Sequence, residues 1–193
     1  MPNRVAEVTL EAGRRQAPDT LYQQPHWYAC YTRSRHEKIV ETLLSAQKIE
    51  SYLPIHARQS RWKDRMKLVH LPLFPGYVFG RFTLDMLAQV LSTHGVVSVV
   101  SARGYPTPIP AAEIENVRRV SFAAAPGDVG VEPSPPVQCG KWVRVTSGPF
   151  QGVEGIVVEH RSRQRVLVGI AAIGQALEVD IDVAGVTPIP PPG

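Results

Sequence analysis

The stretch AAAPGDVGVEPSPP, residues 123–136, fixes the organisation of the chain before anything else does. Its four prolines remove backbone donors, and its two glycines favour no regular conformation. It shows no periodic apolar face, so it reads as a linker whose proline-rich end is partly stiff. Residues 25–122 precede it and residues 137–190 follow it, and each span suits one small domain. Residues 1–24 are polar, hold Gly13 and Pro18 and keep no period; they read as a flexible N-terminal arm, with order beginning at Trp27.

Charge differs between the two spans. Residues 25–122 hold 13 Lys/Arg against 7 Asp/Glu, a net +6, whereas residues 137–190 hold 5 of each. A positive field confined to the first domain suits passage beside nucleic acid more than tight autonomous binding. The two cysteines, Cys30 and Cys139, lie far apart, and no Cys-x-x-Cys pair exists. The expectation is therefore packing residues, with no disulfide framework, no metal and no cofactor. The N-terminus has no secretory h-region and no apolar run approaches the length of a membrane span, so the chain reads as cytoplasmic.

Within residues 25–122 the pattern predicts an α/β domain with one antiparallel sheet. WYACYTR, from Trp27, is a strand of aromatic and small residues. Ser34 and Glu37 have the spacing of a capping box, and Ile39, Val40, Leu43 and Leu44 keep a helical rhythm after it. Tyr52–His56 reads as a second strand. ARQSRWKDRMKLVH, residues 57–70, reads as a hairpin or extended loop whose Arg61, Lys63, Arg65 and Lys67 alternate along one side. Tyr77–Phe82 is a strand, Thr83 or Asp85 caps a helix Met86–Ser92, and Val96–Val100 reads as a buried strand. Pro110 opens a helix over about Ala111–Phe122.

Residues 137–190 contain five short β-prone runs, VRV, GIVV, RVLVGI, ALEVDI and VTPI, divided by glycine-bearing turns. This predicts a small five-stranded β-barrel; closing the sheet removes the edges that so thin a core could not protect. Valine, isoleucine and glycine are dense here, so a helical alternative form is not expected.

Four motifs, in order, carry a resemblance: WYACYTRSRHEKIVE at 27–41, LFPGYVFG at 73–80, THGVVSVV followed by PIPAAEIENVRR, and GKWVRVTSGPFQGVEGI at 140–156. The first three resemble the N-terminal domain of the bacterial NusG family of transcription elongation and antitermination factors. The fourth resembles its KOW motif. The implied fold is α+β: an α/β sandwich with an antiparallel sheet, linked to a small five-stranded KOW β-barrel. The implied function is not enzymatic. The N-terminal domain would sit on the clamp helices of the largest catalytic RNA polymerase subunit (β′), run beside the non-template DNA strand near the transcription bubble and suppress pausing. The barrel would recruit a second factor, which in general members is ribosomal protein S10 or Rho. The segment ARQSRWKDRMKLVHLPLFPGYVFGRF further resembles specialised, operon-specific paralogs of the UpxY, RfaH and LoaP kind. These act as antiterminators, whereas the housekeeping factor more often carries a longer, glycine-rich insertion. One departure is Gly140-Lys141, where the KOW opening usually reads Gly-Asp; it puts the S10 and Rho assignments in doubt.

The resemblance implies roles for particular residues. Phe74, Pro75, Tyr77 and Phe79 match the polymerase-binding patch, with packing inside the domain as the plainer reading. Arg33, Arg35, His36 and Lys38 at the first helix start are DNA-contact candidates, or else a solvated helix start. Arg61, Lys63, Arg65 and Lys67 could steer the chain toward DNA, and Trp62 could stack on a base or pin the hairpin. Gly148, Pro149, Phe150, Gly152 and Gly155 form the KOW turn; the glycines permit the bend, and Phe150 caps the barrel, contacts a partner, or does both.

Rival classes fare worse. No nucleophile-base constellation and no phosphate-cradling loop appears, and Glu113 and Glu115 lie two apart on a helix, where they cannot face one another. A ribosomal RNA-binding protein would use Lys141, Arg144, Arg161, Arg163 and Arg165, but the neutral balance of the second domain speaks against an RNA scaffold.

Overall fold

The computed structural model describes residues 17–62, 65–123, 132–134, 140–160, 163–180 and 185–191. The chain falls into two compact units, one drawn from Met1–Leu53 with Pro75–Ala111, the other from Pro54–Phe74 with Ala112–Gly193.

In the first unit, a short helix α1 (Thr20–Gln23) leads into β1 (His26–Thr32), α2 (Glu37–Ala46) and β2 (Glu50–Tyr52). After Pro75 come β5 (Tyr77–Phe82), a 3₁₀ turn (Leu84–Met86), α3 (Leu87–Ser92) and β6 (Val96–Val99). The two-residue strands β7 (Ser101–Ala102) and β8 (Tyr105–Pro106) pair with one another. The main sheet has the order β2-β5-β1-β6 and its pairings are antiparallel. Its central register sets Tyr28 opposite Gly80 and Cys30 opposite Val78. Strand alternation then sends Tyr28, Cys30, Val78 and Phe82 to one face, where they pack with Val40 and Leu44 of α2 and Val90 of α3. Cys30 is fully enclosed and burial pushes its thiol up to about 12, as expected of a packing residue.

Four local expectations change. Order starts before Trp27, because Leu21 of α1 is buried in this core cluster with Ala17 and Tyr22 against it. The segment Tyr52–His56 is not one strand: β2 ends at Tyr52 and a separate strand begins at Ile55. The Val96 strand is not buried. It is an edge of the sheet, and Val97 is 54% exposed. The Ser34/Glu37 capping box does not form. Arg35 adopts a left-handed φ of 62°, His36 takes the N-cap position, and neither Ser34 nor His36 makes a side-chain cap. Glu37 is instead buried, and its Oε1 accepts the Gly76 N–H at 2.8 Å. The same side chain that sequence spacing assigns to the helix start is used to tie down a distant turn.

Tyr28 is buried with its hydroxyl unpartnered among the described residues, and burial pushes its pKa up to about 12. Its ring packs on Phe82 with centroids 4.7 Å apart. Tyr28→Phe keeps that contact and removes an unsatisfied hydroxyl. It is expected to leave stability unchanged or raise it by about 1 kcal/mol, read as a higher urea midpoint at unchanged slope.

The second unit contains a hairpin of β3 (Ile55–Trp62) and β4 (Arg65–Pro72), helix α4 (Ala111–Ala123) and a six-stranded sheet. The sheet is built from β9 (Glu132–Ser134), β10 (Lys141–Val145), β11 (Glu154–His160), β12 (Arg163–Ile170), β13 (Gln175–Asp180) and β14 (Val186–Pro188). Strands β10 to β13 form a meander, and β14 returns to pair with β10, which supplies the five strands expected for the small β domain. Inward residues Val143, Val145, Val166, Val168, Leu177 and Val179 are buried. β9 adds a sixth strand against β13 from within the segment read as a linker. Its one proline, Pro133, interrupts no central ladder, since β9 lies at the sheet edge, where proline is tolerated.

Candidate polymerase and nucleic-acid contact surfaces

Gly76 opens the most specific motif. It adopts φ +84°, and a Cβ there would lie 3.3 Å from Tyr31 Cε2, so a glycine suits both the turn and the ring beside it. The Glu37 carboxylate holds its N–H, and its carbonyl accepts the Thr32 N–H at 2.8 Å. This fixes the start of β5 against β1. The register sets Tyr77 directly opposite Tyr31, and their rings meet with centroids 5.4 Å apart. Tyr31 is 44% exposed, Tyr77 is half-buried and Pro75 is exposed.

The four patch residues therefore divide. Pro75 and Tyr77 reach the surface, whereas Phe74 and Phe79 are fully buried. Phe79 sits opposite Ala29 in the sheet, which is also fully enclosed. The expectation that Tyr77 and Phe79 share a strand face is compatible with this, but only Tyr77 offers area to another molecule. Tyr31 is the residue the sequence reading passed over. The alternation that separates Trp27 from Tyr28 places Tyr31 on the Trp27 face, but only cross-strand register shows that it meets Tyr77.

Arg33, Arg35 and Lys38 are exposed around the start of α2, and His36 is half-buried. The Arg33 N–H donates to the Gly95 carbonyl at 2.8 Å, and the His36 ring lies 5.8 Å from that of His94. His36 Nδ1 bonds the Ser34 carbonyl at 3.0 Å. The positive φ at Arg35 turns the chain just ahead of helix α2, so Arg33 and Arg35 precede the helix and Lys38 lies in its first turn.

The hairpin corrects one sequence reading. Arg61, Arg65 and Lys67 do not lie along one side of an extended segment, because the chain reverses between Trp62 and Arg65. Arg61 pairs with Met66, while Trp62 pairs with Arg65 and Ser60 with Lys67. Directly paired residues share a face and neighbours alternate, so Arg61 holds a register position of opposite face to Arg65 and Lys67. Lys63 lies outside the described residues. Lys67 is exposed, as are Met66 and Leu68.

In the small β domain, Gly148 and Gly152 adopt φ of +82° and +84°. The turn is closed by the Gly152 N–H to the Val145 carbonyl at 2.8 Å. Gly148 and Pro149 are exposed and Phe150 is buried, so Phe150 acts as a core residue here. Gly155 does not serve the bend. It lies inside β11 opposite Val143, and a Cβ would come within 2.2 Å of the Leu167 carbonyl oxygen. Of the cations a ribosomal protein would use, Arg144 pairs with Glu154 at 2.6 Å, and Arg165 pairs with Glu178 at 2.5 Å and Asp180 at 2.6 Å. The Glu178 carboxylate foremost, with Asp180, holds the Arg165 pKa above its ordinary value. Lys141 is exposed. Cys139 and Arg161 lie outside the described residues. Among the described residues no group of three or more metal-ligating side chains occurs, and no helix is long and apolar enough to cross a membrane.

A family model described as transcription termination factor nusG matches residues 25–118. The transcription termination/antitermination protein NusG of Deinococcus radiodurans is 32% identical over 130 residues, covering 59% of this chain and 67% of its own. The protein of the same name from Thermus thermophilus is 28% identical over 162 residues, covering 78% of this chain and 81% of its own. Among solved structures, NusG of Thermotoga maritima superposes with a TM-score of 0.50 at 24% identity, over 88% of this chain and 99% of its own.

Proposed function

Since the chain belongs to the NusG family of transcription termination/antitermination factors, we propose that it binds RNA polymerase through residues 25–122, at the clamp helices of the β′ subunit. There it suppresses pausing beside the non-template DNA strand and acts as a specialised antiterminator, while the KOW domain, residues 137–190, recruits a second factor. The observation that carries this reading is the exposed Tyr31–Tyr77 ring pair beside Pro75. Two aromatic rings held by a rigid antiparallel pair make a preorganised anchor with little side-chain entropy left to lose. The exposed Arg33, Arg35 and Lys38 supply a positive approach to DNA phosphates.

Tyr77→Ala is expected to weaken polymerase binding about tenfold or more while moving stability little, because the ring is partly exposed already. Equilibrium binding to core polymerase and a urea titration of the same variant check the two halves. Polymerase binding that stays at the parent level would remove the patch from the mechanism.

The relatives matched are named for termination as well as antitermination, which favours a second reading within the family. In it the chain is a housekeeping factor coupling polymerase to the ribosome through protein S10, or to Rho. Genome-wide occupancy separates the two. Signal confined to one or a few long operons supports the specialised role. Signal tracking polymerase across most genes supports the housekeeping role, and no enrichment over background refutes polymerase association.

A further inference from the structure

Helix α4 ends in Arg118-Arg119-Val120-Ser121-Phe122-Ala123. Two features hold its last turn closed. Val120 has no exposed surface, and Ser121 Oγ donates to the Ile55 carbonyl at 2.8 Å. Ile55 opens β3, so this bond ties the base of the cationic hairpin to the helix end. The Leu73 N–H, just after β4, donates to the Pro54 carbonyl at 2.8 Å and closes the same base. Phe122 departs from this packing. It is 95% exposed, although an aromatic ring is among the side chains that gain most from burial. In the sequence, Ser121 alone among the serines and threonines has arginines at both the third and the second preceding positions. Phe122, Ala123 and Ala124 follow it, with neither a proline nor a carboxylate among them.

We propose that Ser121 is a phosphorylation site for a protein kinase whose substrate groove is lined with carboxylates and ends in an apolar pocket, and that the phosphate unties the hairpin base from α4. Two guanidinium groups ahead of the hydroxyl call for carboxylates, which they meet through charge-assisted, bidentate bonds. The exposed Phe122 ring after it calls for an apolar pocket. A proline-directed or acid-directed kinase finds neither of its cues. Arg119 is exposed and Arg118 half-buried, and opening of the last helical turn frees the hydroxyl beside them. A terminal turn opens at lower cost than the middle of a helix. Opening uncovers Val120, and that cost sets how often the site is offered. Transfer forms a bond from Ser121 Oγ to the γ-phosphorus of a nucleoside triphosphate as the bond to the departing diphosphate breaks. The hydroxyl proton passes to the carboxylate base of the kinase. The product oxygen has no hydrogen left to donate. In the closed turn its phosphate would face the Ile55 carbonyl and the carbonyls that end α4, the negative pole of the helix. The closed turn is therefore disfavoured once the phosphate is in place. This inference needs only α4 and the hairpin, and not polymerase binding.

The test uses the full chain and one probe enzyme, the catalytic subunit of cyclic-AMP-dependent protein kinase, with magnesium and ATP. Mass spectrometry is expected to find a phosphoryl group on Ser121, and none at that position in Ser121→Ala. Arg118→Ala should lower kcat/KM for the chain about tenfold or more, through the lost charge-assisted bonds. Val120→Ala should raise it about tenfold, because the turn then opens more often. Amide hydrogen exchange on the phosphorylated chain reads the release. Exchange at the start of β3 and in the last turn of α4 should quicken about tenfold, while β1 and β5 keep their rates. No phosphate on Ser121, or equal kcat/KM for Arg118→Ala, overturns the site. A Val120→Ala chain phosphorylated no faster overturns opening of the turn as the route. Phosphate on Ser121 with unchanged exchange at the start of β3 overturns the release of the hairpin. None of these results bears on polymerase binding, which the Tyr77 variant reads.

Discussion

Phe79→Ala is expected to lower the stability of the chain by about 3–5 kcal/mol, the range for deleting a fully buried aromatic ring. Phe79 has no exposed surface and lies in the central strand pair opposite Ala29, so nothing small can move in to fill the space it leaves. Were Phe79 an anchor for a partner, the same substitution would change binding and leave the isolated chain nearly as stable. Urea unfolding of the free variant decides between these: a midpoint within experimental error of the parent would return Phe79 to the contact surface. Phe79→Leu, which keeps most of the volume, should recover more than half of the loss. The comparison with Tyr77→Ala matters here, because the two residues sit two apart on one strand and only exposure separates their expected behaviour.

The second large effect is expected at Gly155. A methyl group there would come 2.2 Å from the Leu167 carbonyl oxygen and 2.6 Å from Val166 Cγ1. The oxygen belongs to the backbone of the neighbouring strand and cannot turn away as a side-chain end could. Gly155→Ala should therefore cost about 3 kcal/mol or more, at the upper end of overpacking. It should appear as lost amide protection across β11 and β12. Gly148→Ala is the contrast. Nothing lies within 4 Å of its Cβ position, and its φ of +82° is the source of strain, so about 1–2 kcal/mol is expected. Equal losses at the two positions would mean that β11 and β12 separate to admit the methyl, and that the close approach is not what requires glycine.

These contrasts mark where sequence reasoning reached its end. Within the GPFQG turn and the strand after it, three glycines look equivalent in sequence. Gly148 and Gly152 are required by φ, a local property that turn chemistry makes legible. Gly155 is required by a strand from another part of the chain, which no local pattern announces. The same holds for Glu37. Its spacing from Ser34 satisfies a local rule, yet its carboxylate goes to Gly76, nearly forty residues on, because Arg35 takes a left-handed turn that removes Ser34 from the helix start.

By itself the sequence determined the elements and their kind. Helical and alternating periods placed α2, α4, β1, β5 and the five strands of the small β domain, because those periods are set by backbone geometry within a few residues. It also determined the family, which the family model over residues 25–118 and the NusG-named relatives bear out. The tertiary structure decided which aromatic of a shared face is surface and which is core, since burial depends on what covers a strand and not on its alternation. It placed Arg61 on the opposite face from Lys67, since the chain reverses between Trp62 and Arg65, and it brought Tyr31 against Tyr77 by cross-strand register. It also turned one stripe of α4 toward three backbone groups of the small β domain. Each of these depends on contacts between residues distant in sequence, and a period of two or of 3.6 carries no information about the partner on the far side.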